Sequence, residues 1–185
     1  MNIKFSEMGN IILVGLPGAG KTTLGKIVAE RLGMNFIDTD QYILDMFEKN
    51  WPGRVSVFAK AEWLVEKYTT IIDDLIETKN SVIATGAEIV GALEIGKSLK
   101  PLGRVIYIIR DSEMILNDLE NRNTYRFVDV ETGEPSPLFG TPKMLLDAYK
   151  KKMQLLLDDS DDTFINDGTI EDGVDQLIIL LTVRV

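Results

Sequence analysis

The residues best suited to chemistry lie in the stretch GLPGAGKTT, residues 15–23, directly after the apolar run NIILV. Glycines let backbone N–H groups converge on an anion without clashes from Cβ atoms. Lys21 adds positive charge, and the Thr22 hydroxyl is a hard oxygen of the kind that binds Mg²⁺. The pattern G-x-x-x-x-G-K-[ST], between a predicted strand and a predicted helix, is typical of a phosphate-binding loop. A glycine-rich turn without a ligand would not require the Lys-Thr pair.

This loop predicts a nucleoside triphosphate with Mg²⁺, and we expect ATP. The residues expected to form the cradle are Gly15, Pro17, Gly18, Ala19, Gly20, Lys21, Thr22 and Thr23.

Two acids follow the second apolar run, in the stretch FIDTD. They lie at the carboxyl end of the predicted second strand, where alternation places Asp38 and Asp40 on one face and Thr39 on the other. One of these acids could hold a water of Mg²⁺, and the other could bind an acceptor hydroxyl and act as the base. The alternative is that Asp40 only caps the helix that follows.

Residues 121–142 show little periodicity and contain three prolines. A loop this long in a compact domain is usually a lid or a disordered segment, and two arginines favour a lid. Arg122 and Arg126 could place guanidinium charge on transferring phosphate oxygens. The alternatives are a solvated loop, and for Arg122 a weak surface pair with a neighbouring acid.

Short runs rich in Ile and Val alternate with helical patterns, which predicts a three-layer α/β/α domain around a parallel sheet. One domain spans residues 1–185 in this interpretation, with residues 41–80 near the acceptor. The predicted strands are 10–15, 35–40, 81–86, 104–110 and 163–167. The predicted helices are 21–32, closed by Gly33, then 55–78, 142–159 and 169–183, the last capped by Thr169.

Composition excludes several classes of function. The chain has 185 residues, no cysteine, no histidine and a formal net charge of −9. Disulfides, thiolate or histidine metal sites and Ser-His-Asp catalysis are therefore excluded. The acidic balance argues against a nucleic-acid partner, and no apolar run is long enough for a membrane span. We expect a cytoplasmic protein that binds a small molecule, as a monomer or at most a weak homodimer.

Taken together, these stretches resemble the shikimate kinase family of P-loop kinases. The resemblance rests on GLPGAGKTTLGKIVAERLGMNFIDTD, FAKAE, VIATGAEIV and NTYRF, which occur in the family's order. It implies a five-stranded parallel sheet of order 2-3-1-4-5, a mobile lid, and transfer of the γ-phosphoryl group of ATP, with Mg²⁺, to a hydroxyl.

The resemblance also assigns roles by position. Lys21 and Thr22 match the phosphate and magnesium positions, Asp38 the acid near the metal, and Asp40 the acid at the acceptor hydroxyl. Arg126 matches a lid arginine on phosphate, Arg122 the arginine that packs on adenine, and TFIND, with Asn166, the adenine side. The residues matched to the acceptor side are Asp40, Glu62, Gly86, Ala87, Glu88 and Lys152.

The acceptor side departs from the family pattern. Ala59 stands where the family has an arginine, and Ala87 and Glu88 replace two of three consecutive glycines. Lys152 replaces another arginine, and it cannot reproduce a bidentate grip on a carboxylate. These departures suggest the hypothesis of a different small alcohol, neutral or amine-bearing. Shikimate remains open, because Arg54, Lys60 or Lys152 could restore binding of its carboxylate.

Two other functions remain as alternatives. A nucleoside monophosphate or gluconate-type kinase would need a basic cluster for its anionic acceptor, and residues 41–80 show no clear one. A regulatory module that binds ATP without turnover would keep Lys21 and lose Asp40 or Arg126. Both are present, which favours an enzyme.

Overall fold

The computed structural model describes residues 9–42, 69–86, 89–94, 96–121, 142–150 and 152–183. Five strands form one parallel sheet of order β2-β3-β1-β4-β5, which confirms the predicted order. The strands are β1 Ile11–Gly15, β2 Asn35–Asp38, β3 Ser81–Ala84, β4 Arg104–Ile109 and β5 Asp162–Ile165.

Helices connect the strands and cover the sheet. The longer ones are α1 Lys21–Leu32, α5 Ser112–Asn121, α6 Pro142–Lys150 and α8 Ile170–Val183. The shorter helices and helical stretches are α2 at 39–42, α3 at 69–75, α4 Val90–Glu94, a 3₁₀ turn Lys100–Leu102 and α7 Met153–Asp158.

The sheet is apolar on both faces, as expected for parallel strands between two helical layers. Along β1, Ile11 and Leu13 join the cluster that includes buried residues of α1, α5 and α8. Ile12 and Val14 join the opposite cluster, which includes buried residues of α3, α4 and α7. The alternation of one strand thus divides the core into two layers.

Local sequence explains the limits of two helices. Gly33 ends α1 in the left-handed region with φ 65°, and its N–H bonds to the carbonyls of Ala29 and Glu30. Thr169 caps α8, because its hydroxyl accepts from the Asp172 N–H at 3.2 Å. The Asp172 carboxylate in turn accepts from the Thr169 hydroxyl and N–H, which lowers the pKa of that carboxyl. Both caps were predicted and are confirmed.

Several predicted bounds were wrong, among them the strand expected over 81–86, which ends at Ala84. The second strand ends at Asp38, and residue 39 begins α2, so the pleat does not continue to Asp40. The helix expected over 142–159 is divided into α6 and α7. The strand expected over 163–167 runs from Asp162 to Ile165. The segment 122–141, most of the predicted lid, lies outside the described residues.

Within the described part of the chain, no helix has the length and apolar character needed to cross a membrane.

Candidate functional site

The glycine-rich loop lies between β1 and α1, at the carboxyl end of the sheet. A Cβ on Gly15 would come within 2.5 Å of the Ile108 carbonyl oxygen on the neighbouring strand. Gly20, with φ 101°, precedes the first residue of α1, and a Cβ there would lie 2.7 Å from Nδ2 of Asn166. Both positions therefore require glycine, one for close strand packing and one for its backbone conformation. The loop thus leads into the amino end of α1, where a helix favours anions.

Lys21 folds back across the loop. Its Nζ donates to the carbonyl oxygens of Gly15 and Leu16, each at 2.9 Å, and the residue is buried. The ammonium group therefore belongs to the loop itself, where a phosphate oxygen would compete with these two carbonyls as acceptor.

The Thr22 hydroxyl donates a 2.8 Å hydrogen bond to Oδ2 of Asp38. The other oxygen of Asp38, Oδ1, accepts from the backbone N–H of Asp40 at 3.0 Å and of Gln41 at 3.4 Å. Asp38 therefore caps α2 with one oxygen and contacts Thr22 with the other. Two hard oxygens, a hydroxyl and a carboxylate, thus stand together beside the loop, a donor set that fits Mg²⁺.

The described residues contain no group of three or more His, Cys, Asp or Glu side chains able to hold a metal alone. A magnesium site built on Thr22 and Asp38 would take its other ligands from water and from the phosphates of a nucleotide, which is the usual arrangement for this ion.

Thr39 and Asp40 have different surroundings. Thr39 is buried, and its Oγ1 accepts from the Gly86 N–H at 2.8 Å, which joins the end of β2 to the segment after β3. Asp40 is exposed on the first turn of α2. The helix start, rather than strand alternation, places Asp40, and the cap of α2 is Asp38 rather than Asp40.

Two side chains support the loop from outside. Arg110, directly after β4, donates through Nη1 to the Gly18 carbonyl at 2.9 Å. Asn166, directly after β5, donates through Nδ2 to the Ala19 carbonyl at 2.8 Å. We predicted a nucleotide role for Asn166 from the family resemblance, but we assigned none to Arg110. Its position at the carboxyl end of the strand next to β1 was the signal that could have identified it.

On the acceptor side, the structure describes few of the predicted residues. Lys152 lies at the amino end of α7, and its Nζ is 3.1 Å from both carboxylate oxygens of Glu94 on α4. A substrate carboxylate at Lys152 would therefore share the ammonium group with Glu94. The predicted site residues that lie outside the described part of the chain are Glu62, Ala87, Glu88, Arg122 and Arg126. The other acceptor-side positions named above, Arg54, Ala59 and Lys60, also lie outside it.

Comparison with known proteins identifies a family over most of the chain. The family model described as shikimate kinase matches residues 17–173. A shikimate kinase of Alkaliphilus oremlandii is 37% identical over 120 residues, which cover 63% of this chain and 69% of that protein. A shikimate kinase of Bacillus cereus is 30% identical over 172 residues, covering 92% of this chain and 94% of that one.

A solved structure, that of a shikimate kinase from Acinetobacter baumannii in complex with shikimate, has a similar fold. The two chains superpose with a TM-score of 0.69 and 27% sequence identity, over 97% of this chain and 98% of that one. The alignment with this structure therefore extends well beyond the phosphate-binding loop.

Proposed function

Because the chain belongs to the shikimate kinase family, we propose that it transfers the γ-phosphoryl group of ATP to a hydroxyl group of shikimate, with Mg²⁺ as cofactor. The observation that carries this proposal is the hydrogen bond between Thr22 and Asp38 beside the glycine-rich loop. It brings a hydroxyl and a carboxylate together where phosphates would meet the amino end of α1.

On the donor side, we assign the phosphates to the backbone N–H groups of residues 15–23 and to Lys21. A phosphate oxygen would replace the Gly15 and Leu16 carbonyls as acceptor of the Lys21 ammonium group. Thr22 and Asp38 would hold Mg²⁺, directly or through water, and the ion would supply charge neutralisation on the phosphate oxygens. These residues orient the triphosphate with its terminal group toward the acceptor side.

On the acceptor side, we assign Asp40 to the reacting hydroxyl, as hydrogen-bond acceptor and base. Its place on the first turn of α2, two residues after Asp38, keeps both carboxylates at one edge of the sheet. Through the family resemblance we also propose Arg126 for the transferring phosphate, Arg122 for adenine, and Glu62, Gly86, Ala87, Glu88 and Lys152 for the acceptor.

The hypothesis of a different alcohol is not favoured by the comparisons, which identify shikimate kinases along most of the chain. It depended on Ala59, Ala87 and Glu88, which lie outside the described residues, and on Lys152, whose ammonium group pairs with Glu94. We therefore propose shikimate as the acceptor, and a different alcohol becomes an outcome of the test.

The test is an assay of ADP release with ATP, MgCl₂ and shikimate, with mass spectrometry of the product. We expect saturable turnover with a KM for shikimate of about 1 mM or below, and phosphorylated shikimate as the product. Lys21→Ala should lower kcat/KM by roughly 100-fold or more, because a charge on the transferring phosphate is lost. Turnover of a neutral alcohol, gluconate or a nucleoside monophosphate in place of shikimate would contradict the proposal.

A further inference from the structure

Arg110 joins the glycine-rich loop to a helix that packs against the loop. Its Nη1 donates to the Gly18 carbonyl at 2.9 Å and lies 2.7 Å from Oδ2 of Asp118 on α5. The Arg110 side chain is only 17% exposed. A guanidinium group so largely withdrawn from water is retained at low cost only when its N–H groups find acceptors, and here a carbonyl and a carboxylate supply them.

Gly18 is held on its other side by packing. Its φ is 80°, and a Cβ there would lie 2.9 Å from Cγ2 of Ile115 on α5. The loop backbone at Gly18 therefore rests directly on α5, while Arg110 ties the Gly18 carbonyl to that same helix through Asp118. The loop's conformation at this point depends on one close contact and one charged hydrogen-bonding group.

We propose that Arg110 is a positioning residue for nucleotide binding, which acts through the Gly18 carbonyl and does not touch the nucleotide. The inference rests on the proposed function, since it takes the loop to be the phosphate site. A hydrogen bond to a carbonyl fixes the plane of its peptide unit, and it thereby restricts the directions of neighbouring N–H groups. A loop already fixed in its binding conformation loses less freedom when phosphate binds, and affinity rises accordingly.

The competing explanation is that Arg110 only stabilises the fold. Arg104, at the opposite end of β4, provides a matched control. Its Nε lies 2.8 Å from Oδ2 of Asp162, and its Nη groups donate to the carbonyls of Leu180 and Leu181 at 3.3 Å. Both arginines therefore combine a carboxylate with backbone carbonyls, but Arg104 contacts the end of α8 and is remote from the loop.

The experiment compares Arg110→Met with Arg104→Met in the full chain. Calorimetric titration with ATP in excess MgCl₂ gives the Kd, and thermal unfolding without nucleotide gives the stability of each variant. We expect Arg110→Met to weaken ATP affinity by about tenfold or more, and Arg104→Met to lower the unfolding temperature with a Kd within about twofold of wild type. Arg110→Lys, which can still donate to Gly18 and pair with Asp118, should recover most of the affinity.

Steady-state kinetics add a readout that stability alone would not change. In Arg110→Met the KM for ATP should rise while the KM for shikimate stays within about twofold of wild type. An unchanged Kd for ATP in Arg110→Met would overturn the proposal, and so would an equal loss in Arg104→Met. If the wild type binds ATP without phosphorylating shikimate, the proposed function fails, whereas the effect of Arg110 on Kd is still measured.

Discussion

The Thr22 hydroxyl and the Asp38 carboxylate lie 2.8 Å apart, although they belong to α1 and β2. In the sheet, β3 separates β2 from β1, the strand that leads into the glycine-rich loop. The hydrogen bond therefore spans the end of β3 and sets a hydroxyl oxygen and a carboxylate oxygen side by side. In the proposed magnesium site, such preorganisation would lower the cost of binding, since neither side chain would have to be ordered by the ion.

Asp38→Asn should mainly weaken the binding of Mg²⁺. The amide keeps the size of the carboxylate, its one oxygen can still cap α2, and its Nδ2 can donate to the Thr22 hydroxyl, but it lacks the negative charge that would attract Mg²⁺. We expect the Mg²⁺ concentration for half-maximal rate to rise by about tenfold or more, with a lower kcat/KM for ATP. A magnesium titration of the ADP-release rate measures this, and an unchanged titration would exclude Asp38 from the metal site.

Asp40→Asn is the matched variant, with the same chemical change two residues further along the chain. We expect ATP affinity and the magnesium titration to stay near wild type, while kcat falls by roughly 100-fold because the base is lost. Calorimetry with ATP and single-turnover phosphorylation of shikimate separate the two effects. A fall in ATP affinity instead would place Asp40 in the metal site.

Thr39→Val should lower the stability of the fold and raise the KM for shikimate. The substitution keeps the shape of the buried side chain and removes the hydroxyl oxygen that accepts from the Gly86 N–H at 2.8 Å. Leaving that N–H unsatisfied costs about 1–3 kcal/mol of folding free energy. Because Gly86 leads into the segment predicted to face shikimate, the KM for shikimate should rise by about fivefold or more.

Denaturant unfolding and steady-state kinetics measure both effects of Thr39→Val. Thr39→Ser, which restores the hydroxyl, should recover the KM more fully than the stability, because it lacks the buried methyl group. A normal KM in Thr39→Val would show that the segment after β3 is held by other contacts.

The fold could be predicted largely from the pattern of apolar runs. Strands buried on both faces give continuous Ile and Val segments, such as IILVG and RVIYII, and these stood out against the helical periodicity between them. The order of strands came from the family resemblance, because periodicity alone does not specify neighbours. Strand ends were less certain. The second ends at Asp38 since its carboxylate caps the next helix, a local hydrogen bond that the alternation pattern does not reveal.

The candidate site was predictable where one short motif contains the residues, as in the loop with Lys21 and Thr22. Arg110 was missed because its partners, Gly18 and Asp118, come from different parts of the chain, and their convergence is a property of the folded sheet. The ion pair between Lys152 and Glu94 could not be predicted for the same reason, since it depends on how α4 and α7 pack. Contacts between distant segments require the tertiary structure.

Asn166→Asp should weaken nucleotide binding without a change in side-chain size. The Asn166 Nδ2 donates to the Ala19 carbonyl at 2.8 Å, and that carbonyl belongs to the peptide unit that carries the Gly20 N–H. The C=O and N–H of one peptide unit point in opposite directions. Holding the Ala19 carbonyl toward Asn166 therefore directs the Gly20 N–H away from Asn166. A carboxylate there would repel the carbonyl oxygen, and we expect the Kd for ATP to rise by about tenfold.

Calorimetric titration with ATP and MgCl₂ tests this change. The control is Asn80→Asp, the same substitution directly before β3 at the amino end of the sheet, where φ of 53° suits both residues and the bond that is lost is the one from Nδ2 to the Gly33 carbonyl. We expect its Kd to match that of wild type. Equal values of Kd for Asn166→Asp and wild type would show that the loop keeps its conformation without this bond.

Tyr107→Phe should leave the protein as stable or make it more stable, since its hydroxyl is buried with no hydrogen-bond partner within the described part of the chain. Burial raises the pKa of Tyr107 to about 12 from 10.0. The native state thus holds this proton more tightly than the unfolded chain does. The stability that this difference in pKa gives the folded protein is fully present below pH 10. It is lost as the pH rises from about 10 to about 12, by up to about 2–3 kcal/mol.

Urea unfolding at pH 8, 10 and 11 measures this dependence. At pH 8 we expect Tyr107→Phe to equal or exceed wild type by up to about 1 kcal/mol, because the unpaired hydroxyl is removed. Between pH 10 and 11 the variant should lose less stability than wild type. Tyr42→Phe, on a half-buried ring at the edge of the same cluster, is the control for the removal of a phenol hydroxyl at pH 8. Marked destabilisation of Tyr107→Phe at pH 8 would show that the hydroxyl has a partner and would contradict its burial without one.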